Sequence, residues 1–278
     1  MAIAAKQITF IGAGNMASAI FKGMLANGYP ADHITATAPD DKALQVFRDE
    51  LGIRTTTDNV AAIAEADVVV LAVKPQIMKQ VCAELAEQAV KTRPLFISVA
   101  AGLHAETLNG WLGGDHAIVR CMPNTPSLVK TGASGLFALP SVSQDQRDFT
   151  DQLLSGIGIV QWVAEESMLD VVTAISGSGP AYFFMVFEMM EKAAVQLGMP
   201  ADAARRLILQ TGLGAVRMAD QTGEEFAQLK RNVMSPKGTT ERAIHTFEDG
   251  GIEALFLKAM KACADRADEM SREMGDKP

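Results

Sequence analysis

Cysteine is scarce in this 278-residue chain: Cys82, Cys121 and Cys263 are few, scattered and odd in number. A disulfide framework is excluded, a reduced compartment fits, and the thiols read as buried structural groups. Histidine is also sparse. His33, His104, His116 and His245 share no metal-ligand spacing with one another or with the cysteines, so no metal site is expected. No lysine or arginine run interrupts a formal charge of −8, from 25 basic and 33 acidic residues. A nucleic-acid partner needs a basic stripe to neutralise phosphates and an anionic membrane attracts one, so neither partner is expected. The apolar stretches are too short to span a bilayer: Val68 to Val73 is brief, and Glu188 and Glu191-Lys192 stop the run that begins at Tyr182. Met1 to Lys6 leads directly into a strand-like segment with no room for a signal peptide, and a cytoplasmic location is expected.

What is present is a 48% hydrophobic chain long enough for two cores, with an apolar surplus suited to a subunit interface. Strand patterns occur at 6–11, 34–38, 68–73, 95–99, 117–121, 134–138 and 158–162. Helical patterns lie between them, as at 40–50, 77–90, 103–112 and 145–157. This alternation predicts an α/β, doubly wound sheet. Beyond residue 165 strand signals vanish, and helices fit 169–176, 181–197, 201–221, 226–233, 240–249 and 252–273. Gly177-Ser178-Gly179-Pro180, Gly198-Met199-Pro200, the 235–239 loop and Gly250-Gly251 punctuate them. The expected domains are 1–164, binding a dinucleotide, and 165–278, helical.

The first strand ends in Gly12-Ala13-Gly14-Asn15-Met16-Ala17. A glycine turn there lets the following helix approach a pyrophosphate, whose charge the backbone amides and helix dipole stabilise. Gly12 permits the turn, Gly14 the close approach and Ala17 helix packing. The second strand ends in Thr37-Ala38-Pro39, without the terminal carboxylate that reads a free ribose hydroxyl; Asp40 and Asp41 come later. That leaves space for a 2′-phosphate, with Thr37 and Lys42 as contacts, and favours NADPH over NADH without excluding the latter. Ala72-Val73-Lys74-Pro75, Ala100-Ala101-Gly102 and Met122-Pro123-Asn124-Thr125 end three further strands, where a parallel sheet exposes its ligand crevice; Asn59 joins these cofactor-binding candidates.

In the helical half, Gly177-Ser178-Gly179-Pro180-Ala181-Tyr182 starts a helix, and Ser235-Pro236-Lys237-Gly238-Thr239-Thr240 is a loop in which either threonine could cap the next one. The loop offers amides and hydroxyls for a small anion but no strong acid or base.

These segments, together with Arg120-Cys121-Met122-Pro123-Asn124-Thr125-Pro126 and Val233-Met234, occur in the order and nearly the full span of the pyrroline-5-carboxylate reductases, which the chain resembles. The resemblance implies a Rossmann-like N-terminal domain and a C-terminal dimerisation domain. It implies hydride transfer from a reduced nicotinamide cofactor to C5 of L-1-pyrroline-5-carboxylate, giving L-proline, in an intertwined homodimer or a ring of dimers such as a decamer. By the same resemblance Ser235, Gly238, Thr239 and Thr240 line the carboxylate and ring-nitrogen site, with Thr240 nearest the imine nitrogen. Lys237 stands where the family usually has the first glycine of Pro-Gly-Gly-Thr. A positive φ there would strain it, whereas an ordinary conformation would tolerate it and add positive charge; toleration is expected. Two rival readings remain: a hydroxy-acid dehydrogenase using Lys192 or Lys230 as proton donor, and a nonenzymatic dinucleotide sensor.

Overall fold

The computed structural model describes residues 5–275. An eight-stranded sheet is built from β1 (Ile8–Ile11), β2 (Ile34–Thr37), β3 (Arg54–Thr56), β4 (Val68–Leu71), β5 (Leu95–Ser98), β6 (Ile118–Met122), β7 (Gly132–Ala138) and β8 (Gly158–Trp162). Their spatial order is β3-β2-β1-β4-β5-β6-β7-β8. The first six strands pair in parallel, β7 runs antiparallel to β6, and β8 is parallel to β7. The sheet is therefore mixed at one end. β3 is the strand that hydrophobic patterning misses, because this short polar edge segment buries no continuous apolar face.

Pleating explains why the central strands are apolar throughout. Ile8, Phe10, Val68, Val70, Leu95 and Ile97 enter one core, while Ile11, Val69, Leu71 and Phe96 enter the other. Successive side chains point to opposite faces, and helices cover both. Helix α1 (Asn15–Ala26) and α6 (Gln144–Ser155) contribute Ile20, Phe21, Phe149 and Leu153 to the first core. Between them in sequence lie α2 (Asp41–Leu51), α3 (Asn59–Ala62), α4 (Pro75–Thr92) and α5 (Ala105–Trp111), of which α4 and α5 fill the second core with Met78, Leu85 and Leu108. Local chemistry fixes the helix ends: the Asp40 carboxylate accepts from Lys42 N–H at the start of α2, Pro75 opens α4, and Ser143 and Gln146 form a capping box on α6.

After β8 the described chain contains helices only: α7 (Met168–Val172), a π turn at Thr173–Gly177, α8 (Gly179–Gln196), α9 (Ala201–Thr222), α10 (Phe226–Val233), α11 (Thr239–Asp249) and α12 (Ile252–Gly275). The glycines at 177 and 179 do not open a loop. Ser178 between them keeps helical angles, φ −91° and ψ −17°.

Packing divides the chain into two compact units, one running to Ser178 and resuming at Cys263, the other Gly179–Ala262. The change in secondary structure falls near the expected 164/165 boundary, but compactness draws its lines at 178 and 262. The first unit therefore keeps α7, the π turn and the last turns of α12 alongside the sheet.

Candidate active site

The order of β2, β1 and β4 sets a crevice at the carboxyl ends of these strands, where connections leave β1 and β4 in opposite directions. Ile11 is level with both Thr37 and Leu71, and Leu71 with Ser98, so the segments that follow emerge along one edge. That edge gathers Gly12, Ala13, Gly14, Asn15 and Met16, then Ala38 and Lys42, Ala72 to Pro75, Ala100 to Gly102, and Met122 to Asn124.

Gly12 has φ +100°, and a Cβ there would sit 2.9 Å from the Ala72 carbonyl oxygen. The turn consequently requires glycine. A Cβ on Gly14, by contrast, would meet nothing within 4 Å. Gly14 caps α1 without a side chain, leaving the first helix amides without intrahelical acceptors beside that open space. An anion fits these amides and the positive end of the helix.

Thr37 and Asn59 lie behind the turn. The Gly12 N–H donates to Thr37 Oγ1 at 3.3 Å, and the Thr37 hydroxyl donates to Asn59 Oδ1 at 2.7 Å. Thr37 is buried, so its hydroxyl holds the turn from inside rather than facing a ribose. Lys42 is exposed at the first turn of α2. Asp40 is occupied as a helix cap, and Asp41 is paired with Arg48 at 2.6 Å, which holds its carboxyl below the usual range. Arg48 also donates to Thr55 Oγ1 at 2.8 Å. Two turns of α2 bring Arg48 back to Asp41, a pairing that the residues at the strand end alone do not reveal.

At the other end of the crevice a cavity of about 260 Å³ lies within the first unit, between Ala100–Gly102, Arg120–Met122, Asp170 and Thr173, and the Cys263–Met270 part of α12. Buried Arg120 pairs with Glu166 at 2.8 Å, and Glu166 Oε1 also accepts from Ala105 N–H at 2.7 Å. Burial raises the Asp170 carboxyl, against the lowering effect of Arg120. Ser178 Oγ and Cys263 Sγ are 3.2 Å apart on the cavity wall. Cys82 and Cys121 are different: burial pushes both thiols up to about 12, which leaves them un-ionised and inert.

Asn124 does not present its amide to the cavity. It is buried, accepting from Ala133 N–H at 2.9 Å and donating to the Ser176 carbonyl at 3.0 Å.

In the second unit, Ser235 to Gly238 forms a tight turn in which Gly238 N–H donates to the Ser235 carbonyl at 2.8 Å. Pro236 takes the second position. Lys237, in the third, has φ +58° rather than the ordinary conformation expected of it. Proline followed by a left-handed residue is the type II pattern, which favours glycine at that third place. Gly238 also admits no side chain, since a Cβ would lie 2.8 Å from the Ser235 oxygen. The N-cap of α11 is Gly238 and neither threonine; Thr239 and Thr240 take the first two helical positions. Ser235 and Thr239 are exposed and Thr240 half-buried, with the first amides of the helix lacking intrahelical acceptors.

Residues 166–270 match the family model for pyrroline-5-carboxylate reductase dimerisation, and residues 7–102 match that for coenzyme F420-dependent NADP oxidoreductases. A pyrroline-5-carboxylate reductase of Pseudomonas aeruginosa is 47% identical over 269 residues, spanning 97% of this chain and 98% of that one. The chain belongs to the pyrroline-5-carboxylate reductase family. Among solved structures, the pyrroline-5-carboxylate reductase of Coxiella burnetii superposes with a TM-score of 0.93 at 45% identity, over 96% of this chain and 99% of that one. The Plasmodium falciparum enzyme, solved with NADP bound, gives 0.84 at 28% identity, over 96% and 98%.

For a pyrroline-5-carboxylate reductase, the part that sequence reading overlooked is the contribution of α12. Arg266, Ala267 and Met270 line the cavity, and a Cβ on Gly102 would strike Met274 Cε at 2.4 Å. Their periodicity marks only an amphipathic helix, so the sequence does not reveal which surface they cover.

Proposed function

We infer that this chain reduces L-1-pyrroline-5-carboxylate at C5 to give L-proline. The observation that carries this reading is an end-to-end match to reductases of that name in a chain with a dinucleotide turn and a substrate loop free of strong acids and bases. A protonated imine is already electrophilic, so positioning and oriented dipoles suffice.

The reduced nicotinamide dinucleotide supplies the hydride. Gly12 to Met16 hold its pyrophosphate through the free amides of α1. Ala38 and Lys42 face the adenosine end, supported from behind by Thr37 and Asn59. Ala72 to Pro75 and Ala100 to Gly102 line the path to the nicotinamide, with Met122 and Pro123 at its far wall. NADPH is the preferred form: helix capping and ion pairing occupy the nearby acids, and Lys42 is left to meet a 2′-phosphate. NADP in the Plasmodium falciparum relative supports this preference.

Ser235, Gly238 and Thr239 hold the substrate carboxylate at the start of α11, and the Thr240 hydroxyl orients the ring nitrogen. Functionally the chain divides into a cofactor domain, 1–164, and a substrate and dimerisation domain, 165–278, in a cytoplasmic enzyme. Contrary to the expectation that every apolar stretch is too short, the segment 168–196 meets the length and hydropathy of a membrane span; its exposed Phe183, Phe184, Met185 and Met189 are instead the surface of a homodimer. Rings of such dimers are the larger assembly. Lys192 and Lys230, the proton donors of the hydroxy-acid reading, are ion-paired with Glu188 and Glu248.

Purified protein given pyrroline-5-carboxylate and NADPH or NADH is expected to oxidise the cofactor and accumulate proline. No proline above the uncatalysed background with either cofactor would overturn the assignment.

A further inference from the structure

Asn124 occupies the N-cap of a short 3₁₀ helix, Thr125–Val129, yet its side chain does not cap it. The amide is diverted to Ala133 N–H on one side and the Ser176 carbonyl on the other. Ser176 lies in the π turn, whose i to i+5 bond runs from Ser178 N–H to the Thr173 carbonyl at 2.8 Å. In a regular helix the Ser176 carbonyl would receive the N–H of residue 180. That residue is Pro180, which has none. Asn124 therefore supplies the donor that proline removes, and a partly buried carbonyl escapes being left unpaired.

The bond also sets a spacing. Gly177, next to Ser176, packs so closely on Met122 that a Cβ would be 2.8 Å from Met122 Cε. Met122, Thr173 and Ser178 all line the cavity beside Ala100–Gly102. A single side chain thus ties the end of β6 and the start of β7 to the π turn, two turns of backbone that bound the same space. A π turn is a frequent mark of a functional site, and it persists here because its carbonyl is answered from outside the helix.

We propose that Asn124 is a positioning residue for hydride transfer, fixing the cavity wall by replacing the amide that Pro180 lacks. The proposal rests on the reductase reading above. Asn124 is absent from the cavity lining; it acts through Ser176, Gly177 and Met122. Alignment of the reacting carbons is sensitive to small displacements of such a wall, while the pyrophosphate end of the cofactor, held at Gly12 to Met16, is remote from it.

The test compares wild type, Asn124→Ala and the isosteric Asn124→Asp, which still accepts from Ala133 but cannot donate to Ser176 as a carboxylate. Each is measured for NADPH dissociation constant, kcat, and the deuterium isotope effect with C4-deuterated NADPH. Both variants are expected to bind NADPH within about threefold of wild type, lose about 10- to 100-fold in kcat and show a larger isotope effect. Pro180→Ala, which restores the missing N–H, is then added to Asn124→Ala and should recover several-fold of the lost kcat. Unchanged kcat and isotope effect in the variants overturn the proposal. So does a fall in kcat that tracks lost NADPH binding or lower thermal stability and that Pro180→Ala does not relieve. Absence of wild-type turnover overturns the reductase reading and this inference with it, whereas normal wild-type turnover with indifferent variants overturns the inference alone.

Discussion

The Lys237 N–H donates to Glu241 Oε2 across 2.7 Å, joining the left-handed residue of the Ser235–Gly238 turn to the first turn of the helix it precedes. Glu241 is the third residue of α11 and reaches back past the Gly238 cap, as the acidic member of a capping box does. Left-handed backbone at a non-glycine residue costs about 1–2 kcal/mol, and this bond offsets part of it. Lys237→Gly should therefore raise unfolding free energy by about 0.5–1 kcal/mol, the relieved strain exceeding the entropy glycine adds to the unfolded chain. Denaturant unfolding of the two proteins checks it. A less stable variant would show that Lys237 is not strained.

Glycines 12 and 14 should separate stability from binding. Gly12→Ala forces a Cβ against the Ala72 carbonyl at positive φ, so both the melting temperature and NADPH affinity should fall. Gly14→Ala meets no protein atom and should leave the melting temperature unchanged while weakening NADPH about tenfold or more, because the methyl group enters the space assigned to the pyrophosphate. Paired thermal melts and fluorescence titrations decide it. Full affinity in Gly14→Ala would remove the pyrophosphate from that helix end.

The Thr240 hydroxyl carries the proposed contact to the ring nitrogen. Thr240→Ala should lower kcat about 100-fold with NADPH affinity preserved, as loss of a single oriented donor does elsewhere. Lys192→Met and Lys230→Met remove exposed ion pairs and should leave turnover within about threefold. The reverse pattern in steady-state kinetics would favour carbonyl reduction by a lysine acid.

Buried His116 gives the fold a dependence on pH. Its Nε2 is 3.0 Å from the Leu112 carbonyl, its ring stands edge-on to Phe96, and Nδ1 has no partner. Burial, partly opposed by the Leu112 carbonyl, holds its pKa below the ordinary 6.5. The unfolded chain then takes up this proton more readily than the folded one. The stabilisation is complete above about pH 6.5 and declines as pH falls below it. His116→Gln should flatten the drop in melting temperature between pH 7.5 and pH 5.5. An unaltered drop would assign it to other groups.

Strands such as Val68–Leu71 were legible because burial on both faces writes itself as an uninterrupted apolar run. The glycine turn was legible because φ +100° at Gly12 admits little else. Arg54–Thr56, pairing at an edge, carries no such pattern. Asn124 and Thr37 were recognisable as important polar residues at strand ends, but the direction of their side chains depends on Ser176 and Asn59, distant in sequence. Lys237 stands out in the sequence as a departure from the family pattern, but only the backbone angle shows that it takes the left-handed conformation rather than an ordinary one.

Met270 and Met274 of α12 lie against the Gly102 turn, and Ser271 between them is buried. The unit that contains the sheet is thus interrupted by Gly179–Ala262 and resumes at Cys263. During synthesis the ribosome delivers every strand long before it delivers this last covering segment. The unit that holds the sheet therefore waits, with the surface around Gly102 uncovered, until almost the whole polypeptide has been made. A chain stopped at residue 164 or 178 would be left permanently in that unfinished state.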